Sequence, residues 1–185
     1  MYKLYPPPTE VDVYGVKVPE HVIRKMKNIS LIDSLGAGNF GQVYRGYLDF
    51  DKSTRFEVAI KESKSEGAQE MLEEAKAMIR VTKHEHIVNF QGIVISEDQE
   101  RVFLLLEFCA NGPIESYLQK NYMLYYQQLQ VKNYNKFLDW CSEIAAGMDF
   151  LASQDVIHVS LPKDSSQGCA VTFIKKTWSK VTKIS

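Results

Sequence analysis

Three glycines, one lysine and one glutamate are the residues whose types and spacing first suggest chemistry. Gly36, Gly38 and Gly41 form a G-x-G-x-x-G run, and the absence of side chains lets backbone N–H groups approach phosphate oxygens. Lys61 ends an apolar run about 20 residues further on, and Glu74 follows in a segment with helical periodicity. These residue types, in this order, suggest a site for a phosphorylated ligand.

The residues after the glycines decide which phosphate-binding motif is present. In a dinucleotide-binding fold the glycines open a helix, but the segment from Gln42 to Tyr47 alternates with a period of two. A P-loop requires Lys and Ser or Thr at the positions where this chain has Gln42 and Val43. Both motifs are therefore disfavoured, and we predict that the glycines form the tip of a β-hairpin.

Lys61 admits a structural and a functional interpretation. A lysine in an apolar strand often extends its amine to solvent at a sheet edge, and taken alone Lys61 fits that interpretation better. Glu74 lies three residues after Met71 and four before Met78, so it flanks the apolar stripe of the following helix. Because a carboxylate beside a buried face needs a cationic partner, the helix favours an ion pair between Lys61 and Glu74.

Hydrophobic periodicity assigns these residues to strands and helices. Strand character covers residues 29–35, 43–48, 56–61, 87–95 and 102–108. Helical spacing covers residues 69–83 and, most strongly, 137–152. We therefore predict an α+β fold, in which a five-stranded antiparallel sheet packs on one helix and an incomplete helical region follows.

The same pass along the chain predicts three regions. Residues 1–27, which include a triple proline, are expected to be a flexible lead-in that docks only in part. Residues 28–110 hold the sheet, and residues 111–185 hold the helical region. Residues 116–135 carry five of the ten tyrosines, and beyond a first few helical turns from Pro113 we expect this segment to be a mobile insert.

Composition excludes several classes of protein. The 185 residues carry a net charge of -1 and are 45% hydrophobic, as expected of a soluble globular chain without electrostatic attraction to nucleic acid. The longest run of large apolar residues, 102–106, is far too short to span a membrane. The odd number and wide spacing of the three cysteines, Cys109, Cys141 and Cys169, favour reduced thiols, and their spacing is not that of metal ligands. Because the N-terminus also lacks the features of a secretory signal, we predict a cytosolic chain.

Several motifs together resemble the protein kinase family. Leu35-Gly36-x-Gly38-x-x-Gly41-x-Val43, then Val58-Ala59-Ile60-Lys61, then a helical Glu74 match the motifs of the smaller, N-terminal lobe of protein kinases. The stretches from His84 to Gly92 and from Leu105 to Gly112 are similar to the tyrosine-kinase branch. The resemblance covers about residues 29–158 and implies a kinase-like fold with an N-lobe at 28–110 and part of a C-lobe at 111–185.

The resemblance implies a role for each matching residue. Gly36, Gly38 and Gly41 would cover the phosphates of ATP, while Leu35, Val43 and Ala59 would sandwich the adenine. Lys61, paired with Glu74, would bind the α- and β-phosphates. Leu106 would be the gatekeeper, and backbone groups of Glu107 and Cys109 would bond the adenine edge. The Tyr-rich insert is similar to the kinase insert of some receptor tyrosine kinases, whose kinase domains are cytoplasmic.

The sequence departs from the family after His158. The catalytic loop of the family reads H-R-D-L-x-x-x-N, but this chain has Val159 for the Arg, Ser160 for the catalytic Asp and Ser165 for the metal-binding Asn. A serine hydroxyl is not basic enough near neutral pH to serve as the general base. The chain ends before a D-F-G motif, so the ligands for Mg²⁺ are missing and we predict no metal site.

Three functional hypotheses remain open from the sequence. The first is an ATP-binding tyrosine-kinase fragment with little or no phosphotransfer activity. The second is an active tyrosine kinase, if the C-terminal region reflects a faulty or partial gene model. The third is a pseudokinase-like interaction module that works through its Tyr-rich insert and surfaces. For the chain in general, phosphotyrosine-binding proteins are candidate partners, as is a chaperone that covers the broad apolar face of the helix at 137–152.

Overall fold

Strands precede the two longest helices along the chain. The structure is a computed structural model that describes residues 9–38, 41–81, 83–112, 114–127 and 132–156. The strands are β1 (Glu10–Val13), β2 (Val16–Pro19), β3 (Ile23–Arg24), β4 (Ile29–Gly38), β5 (Gly41–Asp49), β6 (Arg55–Lys64), β7 (Phe90–Ile95) and β8 (Arg101–Glu107). The helices are α1 (Ala68–Arg80), α2 (Ile114–Gln127) and α3 (Lys132–Ser153). Single turns of 3₁₀ helix lie at Glu20–Val22, Met26–Asn28 and Ser65–Gly67.

The main sheet confirms the predicted α+β fold and adds a strand to it. Within the described ranges, six strands pair in the order β3-β7-β8-β6-β5-β4. All neighbours are antiparallel except β3, which pairs in parallel with β7. The predicted count of five strands was therefore wrong by one, because β3 is only two residues long and shows no alternation of its own.

The predicted glycine hairpin is present. Strands β4 and β5 pair up to Gly38 and Gly41, and a strand rather than a helix begins at Gly41. The side-chain amide of Gln42 donates a hydrogen bond to the hydroxyl of Ser34 across the hairpin. This arrangement confirms that the chain has neither a dinucleotide-binding turn nor a P-loop at these glycines.

The short link between β3 and β4 requires a curled sheet. These are the two outermost strands, yet Arg24 and Ile29 are only five residues apart. Five residues reach at most about 18 Å, whereas the outer strands of a flat six-stranded sheet lie roughly 24 Å apart. The Asn28 side-chain amide donates to the Asp49 carbonyl oxygen at 2.8 Å, and the Arg24 guanidinium lies 5.3 Å from the centre of the Phe50 ring. The link therefore lies across the end of the β5–β6 hairpin.

Strands β1 and β2 lie within the predicted lead-in of residues 1–27. Strands β1 and β2 form a hairpin whose turn is stabilised by the Gly15 N–H donating to the Asp12 carboxylate at 2.9 Å. Val16 and Val18 are essentially inaccessible to solvent. Residues 10–19 of the predicted lead-in are therefore paired and partly buried, while residues 1–8 lie outside the described part of the chain, and the flexibility of the lead-in stays a prediction.

The described residues within 1–78 and 90–108 form the first of two compact units, which contains the six-stranded sheet and most of α1. One face of the sheet forms an apolar cluster, with Met26, Ile29 and Tyr44 packed at its margin. The buried members of this cluster are Leu48, Val58, Ile60, Val94, Phe103 and Leu105. Helix α1 buries the predicted apolar positions Met71, Leu72, Ala75 and Met78, which confirms the stripe.

The second unit comprises the described residues within 79–89 and 109–156. Ile114 of α2 packs with Trp140 of α3, and the Tyr117 ring meets the Trp140 ring edge to face at 6.0 Å. Ile87 packs with Leu151 near the end of α3. Strand β7 begins at Phe90 rather than at residue 87 because Ile87 belongs to this second cluster.

The structure also revises the Tyr-rich segment. Helix α2 extends the helical turns predicted from Pro113 as far as Gln127, and residues 132–135 belong to α3, so the described part of the predicted insert is helical. Helix α3 begins at Lys132, five residues before the predicted start at Phe137. Residues 128–131 and the predicted weak strand at 170–174 lie outside the described residues. Among the described helices, none combines the length and apolar character that a membrane span requires.

Candidate functional site

Strand register brings four of the predicted site residues to one face of the sheet. Val43 of β5 lies opposite Lys61 of β6, and Ala59 of β6 lies opposite Leu106 of β8. Directly opposed residues of an antiparallel ladder present their side chains on the same face, and Ala59 and Lys61 are two positions apart on one strand. This surface, which we call the lysine face, lies opposite the apolar cluster that contains Val58 and Ile60.

Lys61 and Glu74 form a buried ion pair. The Lys61 ammonium donates to Oε2 of Glu74, and both side chains are 6% exposed. Glu74 is in position because Met71 and Met78, three residues before and four after it, bury the same side of α1. Two opposite charges withdrawn from water attract each other strongly, so each holds the other in place.

The glycine hairpin extends from the lysine face. Gly36 pairs with Val43, and Gly38 pairs with Gly41. Both Gly36 (φ +140°) and Gly41 (φ +121°) have backbone conformations that other residues rarely adopt. A Cβ at Gly41 would overlap the carbonyl oxygen of Glu62, whereas the space beside Gly36 is open. Gly41 is therefore required by close packing, while Gly36 leaves room on the surface of the hairpin.

The other predicted nucleotide contacts occupy different environments. Leu106 is 1% exposed and Glu107 is half-buried at the end of β8. Leu35 is 50% exposed on the edge strand β4. Cys109 belongs to the second unit, where its carbonyl oxygen accepts a hydrogen bond from the Gly112 N–H at 3.0 Å. The structure thus brings Val43, Ala59, Lys61, Glu74 and Leu106 together within the first unit, which does not include Cys109.

Arg45 is a residue that the sequence reasoning missed. Its Nε donates to the Glu57 carboxylate at 2.5 Å, its Nη1 lies 3.3 Å from the Asp33 carboxylate, and its guanidinium carbon is 5.6 Å from the centre of the Phe108 ring. The hydrogen bond to Glu57 raises the pKa of the Arg45 guanidinium. Arg45 lies opposite Ala59, so it is on the lysine face. Its alternation with Val43 was the available signal.

The predicted catalytic-loop positions cannot be placed on this framework. His158, Ser160 and Ser165 lie outside the described residues. Within the part of the chain that is described, no group of three or more His, Cys, Asp or Glu side chains could hold a metal ion. The two cysteines in that part, Cys109 and Cys141, form no disulfide.

The lysine face has the chemistry that a nucleotide requires. Ala59 is partly exposed and offers an apolar position beside which a planar base can lie, while Leu106 is buried opposite it. The Lys61 ammonium supplies a cation two strand positions from Ala59. The distance along the strand between those two positions is about 7 Å. A base beside Ala59 would make apolar contacts, and a phosphate beside Lys61 would pair with the ammonium.

Comparison with known proteins agrees with this geometry. The family model of the protein tyrosine and serine/threonine kinases matches residues 29–164, which is more than half of the chain. The chain therefore belongs to the protein tyrosine and serine/threonine kinase family. The predicted kinase fold, with a strand-rich N-lobe, is confirmed.

One relative shares similarity with most of this chain. The chain is 28% identical over 149 residues to the tyrosine-protein kinase transmembrane receptor Ror of Drosophila melanogaster. The match covers 79% of this chain but only 21% of that receptor, so the chain spans about a fifth of its relative's length. That relative is a tyrosine-protein kinase, the branch of the family that the stretches at residues 84–92 and 105–112 resemble.

Proposed function

We propose that this chain binds ATP on the lysine face of its sheet. The observation that carries the proposal is the ion pair between Lys61 and Glu74, buried on the same face as Val43, Ala59 and Leu106. A buried lysine held by a carboxylate presents a fixed cation, and family membership makes ATP phosphates its natural ligand. Adenine would lie against the apolar residues of the same face.

The glycine hairpin would cover the phosphates. Gly36 and Gly38 carry no side chains, and the open space beside Gly36 leaves its backbone accessible. Leu35 would cover the adenine from the edge strand, while backbone groups of Glu107 and Cys109 would bond its edge. These roles, implied by the resemblance to kinases, complete the proposed site.

We further propose that the chain transfers phosphate poorly or not at all. Ser160 stands where the family has its catalytic aspartate, and Ser165 stands where it has a metal-binding asparagine. Enzymatic phosphoryl transfer depends almost entirely on positioning and on charge stabilisation, to which both missing residues contribute. The ATP site would then serve binding rather than turnover.

The cellular location and the partners of the domain are also proposals. The relative is a transmembrane receptor, and the thiols of this chain suit a reducing compartment, so we propose that the kinase domain works in the cytoplasm. If it retains any transferase activity, the acceptor would be a tyrosine hydroxyl. Phosphotyrosine-binding proteins and chaperones are the partners that we propose.

Nucleotide titration tests the ATP site. Lys61→Met keeps the side-chain length but removes the charge, and we expect it to abolish measurable ATP binding by calorimetry. Lys76→Met is the matched control. Lys76 lies on α1, the helix that carries Glu74, but its side chain is 47% exposed and its Nζ forms a long ion pair, at 3.9 Å, with Oε1 of Glu73. Equal ATP affinity in the wild type and Lys61→Met would refute the proposal.

A kinase assay tests the loss of transfer. We expect no more than trace ATP-dependent phosphorylation of a poly-Glu/Tyr peptide by the wild-type chain. Robust phosphorylation that disappears in Lys61→Met and persists in Lys76→Met would show that another carboxylate acts as the base, and would overturn the proposal of an inactive site.

A further inference from the structure

Arg45 joins three separate segments around one point of the lysine face. It is on β5, and its guanidinium binds Glu57 on β6 and Asp33 on β4. It also lies 5.6 Å from the centre of the ring of Phe108, which directly follows β8. Ala59 lies opposite Arg45, so the three segments meet beside the alanine assigned above to the adenine.

The planar fork of arginine suits this position. It can bond two carboxylates in its own plane while its face lies over an aromatic ring, and a lysine ammonium cannot do both. The edge strand β4 pairs only with β5, so an additional tie from β5 to both β4 and β6 restrains the whole hairpin. The same guanidinium restrains Phe108, the residue between the two whose backbone is expected to bond adenine.

We propose that Arg45 is a positioning residue for the adenine end of the bound nucleotide. It acts by holding the β4–β5 hairpin and the Phe108 ring beside Ala59, where the base would lie. Lys61, two positions along β6 from Ala59, acts on the phosphates instead. This inference rests on the proposed ATP site and adds to it the part that selects for the base.

The opposing interpretation is an ordinary surface ion pair. Arg45, Asp33 and Glu57 are 37%, 59% and 35% exposed, and exposed pairs commonly contribute little to stability. The chain provides a matched control for that interpretation. Arg55 bonds Asp49 at 2.6 and 3.1 Å and lies 5.4 Å from the Tyr47 ring, at the far end of the same β5–β6 ladder.

The experiment measures dissociation constants of three probes for the whole chain. Adenosine reports the base end, tripolyphosphate reports the phosphate end, and ATP reports both. We expect Arg45→Gln to weaken adenosine and ATP by about fivefold and to leave tripolyphosphate unchanged. Arg55→Gln should leave all three constants unchanged. Arg45→Lys, which keeps the charge but not the fork, should behave like Arg45→Gln.

Several outcomes would overturn the inference. They are unchanged adenosine binding by Arg45→Gln, an equal loss of tripolyphosphate binding, an equal effect of Arg55→Gln, or full rescue by Arg45→Lys. Glu57→Gln, which loosens the same tie at an exposed residue, should reproduce the adenosine effect if Arg45→Gln folds poorly. Failure of the ATP site itself is distinguishable, because then wild type would bind none of the probes and Lys61→Met would change nothing.

Discussion

Lys61 on β6 and Glu74 on α1 neutralise each other where both side chains are 6% exposed. Removing one member leaves the other charge buried without this partner, which typically destabilises the folded state by about 3–5 kcal/mol. We therefore expect Glu74→Ala to lower the free energy of unfolding by roughly 3–5 kcal/mol in urea denaturation. The double variant Lys61→Met/Glu74→Gln should regain most of this loss. If the double variant were as unstable as Glu74→Ala, the ion pair would not be the source of the effect.

Gly36 and Gly41, the two positive-φ glycines of the β4–β5 hairpin, should differ in their tolerance of a side chain. A Cβ at Gly41 would overlap the Glu62 carbonyl oxygen, whereas Gly36 has nothing within 4 Å. Gly36→Ala should cost only backbone strain, about 1–3 kcal/mol, and Gly41→Ala should cost clearly more. Chemical denaturation of both variants measures the difference. Equal losses would contradict the close approach of β5 to β6.

The link from β3 to β4 should contribute to the stability of the sheet. The Asn28 side-chain amide bonds the Asp49 carbonyl oxygen at 2.8 Å in a partly buried position. Asn28→Ala should lower the free energy of unfolding by about 0.5–1.5 kcal/mol, the usual net value of such a bond. Asn111→Ala, at an exposed residue of the second unit, is the control and should change little. Identical unfolding midpoints for Asn28→Ala and wild type would show that the link is not fixed there.

Asp51 should make the β5–β6 turn sensitive to acid. Hydrogen bonds from the backbone N–H and hydroxyl of Ser53 and from the N–H of Thr54 lower the pKa of the Asp51 carboxyl. A lowered pKa contributes stability that is present above the ordinary aspartate value, about 3.9, and is lost as pH falls through the folded value. Between about pH 5 and pH 3, stability should therefore fall less steeply in Asp51→Asn than in wild type. Parallel curves would contradict this role of Asp51.

Local patterns were sufficient to predict the elements that carry the site. The alternation of Val43, Arg45 and Tyr47 predicted β5, and the three- and four-residue spacing of Met71, Ala75 and Met78 predicted α1. The position of Glu74 beside that stripe pointed to Lys61. These features depend on residues close in sequence, which is why the sequence reveals them.

Features that depend on distant residues were not predictable in this way. Strand β3 is two residues long and exists because β7 pairs with it, so it has no periodic pattern. Ile87 extends the apolar run of β7 in sequence but packs with Leu151 in the second unit. The role of Arg45 required knowing that Asp33, Glu57 and Phe108 meet around it.

In the proposed ATP site, the Lys61 amine faces the phosphates of the bound nucleotide. An acyl-phosphate derivative of ATP transfers its acyl group to an amine beside the phosphates, and peptide mass spectrometry identifies the labelled lysine. We expect Lys61 to be labelled, its labelling to be suppressed by excess ATP, and the exposed Lys76 to show no such suppression. Labelling that is distributed over surface lysines, with none of it prevented by ATP, would contradict the placement of Lys61 beside the ATP phosphates.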